Sequence, residues 1–165
     1  MASWVLIDEC LAPQRFIVIN FKGKDPFNAY RVTQQILRET LQIGSSKYYE
    51  LEFRWDITTD PREFFIRVSA EKPFAWRTKG VFEVMMHGYQ PSDKNNPNGR
   101  LTLKISSKLV TEYKLNTAFQ KTKFYKALLH MYNFLFLYRV RRKHLDACRK
   151  LTFEIERKFR EVLGI

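Results

Sequence analysis

The chain has 165 residues, 45% hydrophobic and 15% aromatic, with 29 Lys/Arg against 17 Asp/Glu and a formal net charge of +12. That length and apolar content predict one folded domain over 1–165 with a real core, and exclude two comfortable domains. The cationic excess fits plain solubility, or attraction to a polyanion or an anionic membrane surface.

The first ten residues, MASWVLIDEC, lack the basic n-region of a signal peptide and are broken by Asp8 and Glu9. No run reaches the roughly 18 uncharged apolar residues that a transmembrane helix requires. The nearest, 127–138, is interrupted by His130 and Asn133. Cys10 and Cys148 are too few and too distant for a metal cluster or a disulfide framework, so reduced, buried thiols in a soluble cytoplasmic protein are expected.

Trp4 and Leu6, with Val5 and Ile7, fit a short strand or a packed arm, ended by Pro13. Residues 15–21 (RFIVINF) are β-branched and aromatic and predict a first strand. Asp25-Pro26 predicts a helix start, with Asp as N-cap and Pro where no N–H partner is required. Phe27, Tyr30, Ile36, Leu37, Leu41 and Ile43 recur at helical spacing and Gly44 suits the C′ position, so a helix is expected over 26–43.

The clearest pattern is 48–57. Tyr49, Leu51, Phe53, Trp55 and Ile57 alternate with Glu50, Glu52, Arg54 and Asp56, which predicts a strand with one buried face. A turn around Asp60-Pro61 leads to a strand over 63–72, ended by Pro73, with Phe64, Ile66, Val68 and Ala70 inward. Another strand spans 77–89, with Phe82, Val84 and Met86 inward. After the polar loop 90–99, a long strand over 100–115 turns Leu101, Leu103, Ile105, Leu109, Tyr113 and Leu115 inward; Ser106-Ser107 is a candidate bend or bulge. Loops too short for crossover helices make these four strands an antiparallel meander.

From Asn116 or Thr117, as N-cap, to Gly164 the chain reads as one long amphipathic helix, or two end to end. One stripe runs Phe124, Leu128, Met131, Leu135, Tyr138, Leu145, Cys148, Ile155, Phe159, Val162 in helical phase, with Arg142 and Thr152 as polar members. Leu129, Tyr132 and Phe136 widen it to an apolar middle, expected to fill the cup of the sheet and touch the first helix. A homodimer contact, a cavity lining and, less suited because the band is nearly all-round rather than one-sided, an interfacial membrane helix are the other uses of so wide a band. Arg139, Arg141, Arg142 and Lys143 follow as a candidate anion-binding knot, and from Asn116 onward the chain carries +8 of the +12.

The fold class expected is therefore α+β: an antiparallel meander sheet, one short helix, and a long C-terminal helix across the apolar face. His87, His130 and His144 lack carboxylate or cysteine neighbours at ligand spacing, so no metal site is predicted. His87 with Glu83 is a candidate proton-transfer pair whose default is a polar pair on a wet sheet face. No triad order, P-loop or dinucleotide fingerprint is present, so neither catalytic residue nor cofactor is predicted and the chain is read as non-enzymatic. A nucleic-acid role would use the basic helix, with Lys121, Lys123 and Lys126, on phosphate backbone alone. The strand aromatics sit on the face that must be buried, and the outer face mixes Glu50, Glu52, Glu71, Glu83 and Glu112 with Lys79, Lys104 and Lys108, so it reads as self-neutralised.

The order of strand, helix, meander and C-terminal helix resembles the helix-grip fold of the START-like (polyketide-cyclase and lipid-transfer) superfamily over about residues 15–163, on element order alone. The resemblance implies a small apolar or amphipathic ligand between sheet and helix, in a cavity bounded by Phe53, Trp55, Ile66, Val84, Met86, Leu103, Ile105, Leu128, Met131, Tyr132 and Leu135. The basic knot would then orient an acidic head or dock an anionic surface. Nucleic-acid association through the basic helix, and oligomerisation through its apolar middle, are the competing expectations.

Overall fold

The structure is a computed structural model that describes residues 2–165. Among these, six strands form one antiparallel sheet: β1 (Ala2–Glu9), β2 (Ile17–Lys24), β3 (Tyr48–Asp56), β4 (Arg62–Ala75), β5 (Thr78–Gln90) and β6 (Asn98–Leu115). Three helices accompany them: α1 (Asn28–Leu41), α2 (Lys123–Leu135) and α3 (Tyr138–Leu163). The class is α+β as expected, with six strands in place of five because residues 2–9 are a full strand.

The meander β3-β4-β5-β6 forms as its short loops require, and β6 is its longest strand. No bulge interrupts β6 at Ser106-Ser107; its register with β5 runs unbroken from Thr78↔Thr111 to Tyr89↔Arg100. The interruption lies in the neighbouring edge instead. β2 pairs with the first half of β6 and β1 with the second half, end to end, and the chain between them loops out opposite the two serines. Cys10 N–H closes that gap on Ser107 O at 3.0 Å.

One face of the sheet carries the core. Ile19, Phe64, Ile66, Val68, Phe82, Val84, Met86, Leu103, Ile105 and Leu109 are all fully buried there. The lid is double. α1 contributes Ala29, Ile36, Leu37 and Leu41, and α3 contributes Cys148, Ile155 and Phe159, with Thr152 among them. Thr152 is tolerated because its hydroxyl meets Ser107 Oγ at 2.6 Å and Cys148 O at 2.8 Å.

Several local expectations are corrected. α1 starts two residues late: Asp25 takes a left-handed φ of 45° and pairs with Arg31 at 3.1 Å instead of capping. Gln42, not Gly44, is the left-handed cap, with φ 53° and its N–H on Arg38 O. Thr122, not Asn116 or Thr117, caps α2, its Oγ1 accepting from Tyr125 N–H. In β3 an extra residue between Glu50 and Glu52 shifts the register, so the alternation does not hold one face. Tyr49, Leu51 and Phe53 stay largely exposed on this last strand of the sheet, and Ile57 lies exposed just beyond it.

The largest correction concerns the C-terminal segment. Phe136 and Leu137 separate α2 from α3, both N–H groups turning onto Tyr132 O. The less oily α3 is the lid, and the oily α2 is not. Cys10 and Cys148 are joined in a disulfide, which overturns the expectation of reduced thiols. Sequence distance hid the pair; the loop after β1 brings Cys10 under α3. Arg149 reinforces the same seam, Nε donating to Cys10 O at 3.0 Å and Nη2 to Ala12 O at 2.7 Å.

Candidate functional site at the elbow of the last two helices

No carboxylate occurs between Glu112 and Asp146. That stretch folds into the end of β6, all of α2 and the first turns of α3. α2 is seated by a narrow strip, since Leu129 and Asn133 are its only buried residues. Tyr113 Oη donates to Asn133 Oδ1 at 2.8 Å, and Asn133 Nδ2 donates to Leu129 O at 2.8 Å, so the buried amide is satisfied at both ends. Trp4 of β1 completes the seat, its ring 5.6 Å from Tyr113 and 6.3 Å from His130.

α3 is held differently. Arg141 offers Nε and Nη2 to the two oxygens of Asp8, a bidentate pair that fixes the helix start to β1. Of the four cations expected to form an anion site, Arg141 is thereby withdrawn. Arg139, Arg142 and Lys143 are exposed, and line a shallow groove with Lys150 and Asp146.

Two clefts flank the elbow. One, of about 460 Å³, lies against the end of β1 and mixes Asp8, Glu9 and Asp146 with His130, Arg142 and Arg149. The other, of about 300 Å³, lies between the elbow and the tip of the β4–β5 hairpin. Its walls are Trp76, Leu109, Tyr113, Tyr132, Leu137 and Val140, its polar groups Arg77, Thr78, Thr111, Asn133, Arg141 and His144, and no carboxylate lines it. The Arg77 guanidinium lies 3.8 Å from the Trp76 ring centre and 4.9 Å from that of Tyr113.

The residues expected to bound a cavity do not come together around one. Ile66, Val84, Met86, Leu103 and Ile105 are fully buried in a core that α1 and α3 fill. Phe53 and Trp55 pack around Phe27 at the α1 end, with ring centres 6.5 and 4.4 Å away. Leu128, Met131, Tyr132 and Leu135 sit exposed on α2, and only Tyr132 reaches the second cleft. The physical reason is the break at Phe136, which lets α3 cover the sheet while α2 diverges.

His87 pairs with Glu63 across the strands at 2.6 Å, not with Glu83, which sits near Lys108 (3.6 Å) and Arg67 (4.0 Å). Lys79 pairs with Glu71 at 2.7 Å, whereas Glu50 accepts from Tyr30 of α1 and neither Glu112 nor Lys104 has an ion pair among the described residues. Among the described residues no three His, Cys, Asp or Glu are grouped to hold a metal ion, and no helix is long and apolar enough to cross a membrane. The shifted phenols lie far from the elbow. Tyr30 donates to Glu50 at 2.6 Å, which pushes its hydroxyl up to about 12, and burial pushes Tyr48 up to about 12. They report the packing of α1 on β3.

The sequence reading missed the Trp76-Arg77 hairpin tip. Its signal was an aromatic–cation pair at a turn between two alternating strands.

No family model matches the chain, and no curated protein does. Among solved structures, a protein of unknown function, SA2116 from Staphylococcus aureus, aligns with 93% of this chain and 99% of its own at 7% identity and a TM-score of 0.24. An uncharacterized protein from Rhizobium leguminosarum aligns with 95% of this chain and 99% of its own at 6% identity and a TM-score of 0.20. Likeness at this level carries no argument about function.

Proposed function

We propose that this is a non-enzymatic binding protein for a small amphipathic anion, an apolar body with a carboxylate or phosphate head, held in the cleft between the β4–β5 hairpin tip and the elbow. The observation that carries the reading is the lining: apolar walls, Arg77 without an ion pair among the described residues, and no carboxylate. A volume of about 300 Å³ stands at the lower end of small-molecule sites. The START-like resemblance supports the same class of ligand through element order alone. The sheet-facing position that such a ligand would take is filled by side chains here, which moves the proposal to the start of α3. The cytoplasmic setting expected from the sequence leaned on reduced thiols; the Cys10–Cys148 bond fits an oxidising compartment instead.

The test is calorimetric titration with decanoic acid in lipid-free buffer. Binding is expected, with loss on Val140→Trp, which fills the cleft from an exposed helix position. Arg77→Gln should weaken the acid while leaving the matching alcohol unchanged. Equal affinity for acid and alcohol, or full uptake by Val140→Trp, would overturn the reading.

A further inference from the structure

The side of α2 turned away from its seat is unusual. Phe124, Leu128, Met131 and Leu135 follow one line along it, 64%, 39%, 51% and 59% exposed. Across the second cleft Trp76 stands 85% exposed at the hairpin tip. Large exposed apolar side chains on two elements that flank one cleft mark an interaction surface, since an apolar helix face otherwise turns to the core.

We propose that this face docks on an anionic phospholipid surface, with the apolar line of α2 and the Trp76 ring entering the headgroup boundary. Three observations select that occupant. First, the dimensions fit: 13 residues make a helix of about 20 Å, too short to span a bilayer and suited to lying in its plane. Second, the charge fits. Lys121 and Lys123 are exposed at the start of α2 next to Phe124, and no carboxylate occurs between Glu112 and Asp146. Asp8 is neutralised by Arg141, while Glu9 and Asp146 border the opposite cleft with Arg142 and Arg149. Third, Trp is favoured at membrane–water boundaries for its apolar body and polar N–H.

The same charges argue against the other occupants. A second copy related by two-fold symmetry would set these cations against each other. A nucleic-acid backbone would satisfy the cations and leave Leu128, Met131 and Leu135 without apolar cover. The docking face shares Trp76 with the wall of the cleft, and the variants below separate the two roles.

Co-sedimentation with phosphatidylglycerol vesicles, against pure phosphatidylcholine vesicles, tests the proposal. The protein should bind the first and not the second, and added salt should weaken binding. The variant Leu128→Ser/Met131→Ser/Leu135→Ser and the variant Lys121→Glu/Lys123→Glu should each lose about tenfold or more in affinity, with melting curves confirming that both fold. Brominated acyl chains should quench tryptophan fluorescence, and Trp76→Phe should remove most of that quenching. Val140→Trp should still bind vesicles, so loss of ligand uptake and loss of docking are told apart. Absent vesicle binding, or binding unchanged in the serine variant, would overturn the proposal. So would a dimer that the serine variant abolishes, or oligonucleotide binding, in a protein that ignores vesicles.

Discussion

Tyr113 Oη and Asn133 Oδ1, 2.8 Å apart, form the one buried side-chain hydrogen bond between β6 and α2. Leu129 is the only buried apolar residue that α2 adds to it. The helix most apolar by composition is therefore pegged to the sheet by an amide and a phenol. Asn133→Ala removes the acceptor and leaves the Tyr113 hydroxyl buried alone, a cost of about 1–3 kcal/mol. Urea denaturation should show that loss, and Tyr113→Phe combined with Asn133→Ala should cost less than the sum of the two.

Leu135 and Phe159 lie on the same helical stripe of the sequence but meet opposite fates. Phe159 is fully buried and Leu135 is exposed. Phe159→Ala should cost about 3–5 kcal/mol through the cavity it leaves. Leu135→Ala should change stability by no more than about 0.5 kcal/mol. Equal losses at the two positions would mean that α2 packs on the protein body.

The disulfide closes a loop with a sequence separation of 138. Cross-links of this kind stabilise by about 2–4 kcal/mol, chiefly by restricting the unfolded chain. Cys10→Ser/Cys148→Ser should show a loss of that size in chemical denaturation. A non-reducing peptide map should recover the two cysteines in one linked fragment; alkylation of both thiols in unreduced, denatured protein would contradict the bond.

Tyr48 is raised from its ordinary 10.0 to about 12, by burial first and then by Tyr30 and Glu50. The folded value lies above the unfolded one, so folding favours the neutral phenol. That contribution is complete below pH 10 and is lost as pH climbs toward 12. Tyr48→Phe should thus show a shallower fall of stability across that window than the parent, measured as melting temperature against pH.

The sequence alone determined the four strands of the meander and the inward faces of β4, β5 and β6. Ile66 and Val68 flank Arg67, Phe82 and Val84 flank Glu83, and Leu101, Leu103 and Ile105 alternate with Thr102 and Lys104; a period of two leaves one arrangement that buries the apolar set. Some of the elbow was legible too: the basic run after Tyr138 follows an apolar run, and no carboxylate separates them.

What only the tertiary structure decided was which apolar residues reach the core. The Phe136–Leu137 break carries neither Gly nor Pro, so no local signal marks it. It is fixed by anchors distant in sequence: Asn133 on Tyr113, Arg141 on Asp8, Cys148 on Cys10. Those contacts hold α3 on the sheet and α2 off it. Periodicity gives the phase of a helix but not its axis, so a single stripe from Phe124 to Val162 became half core and half surface.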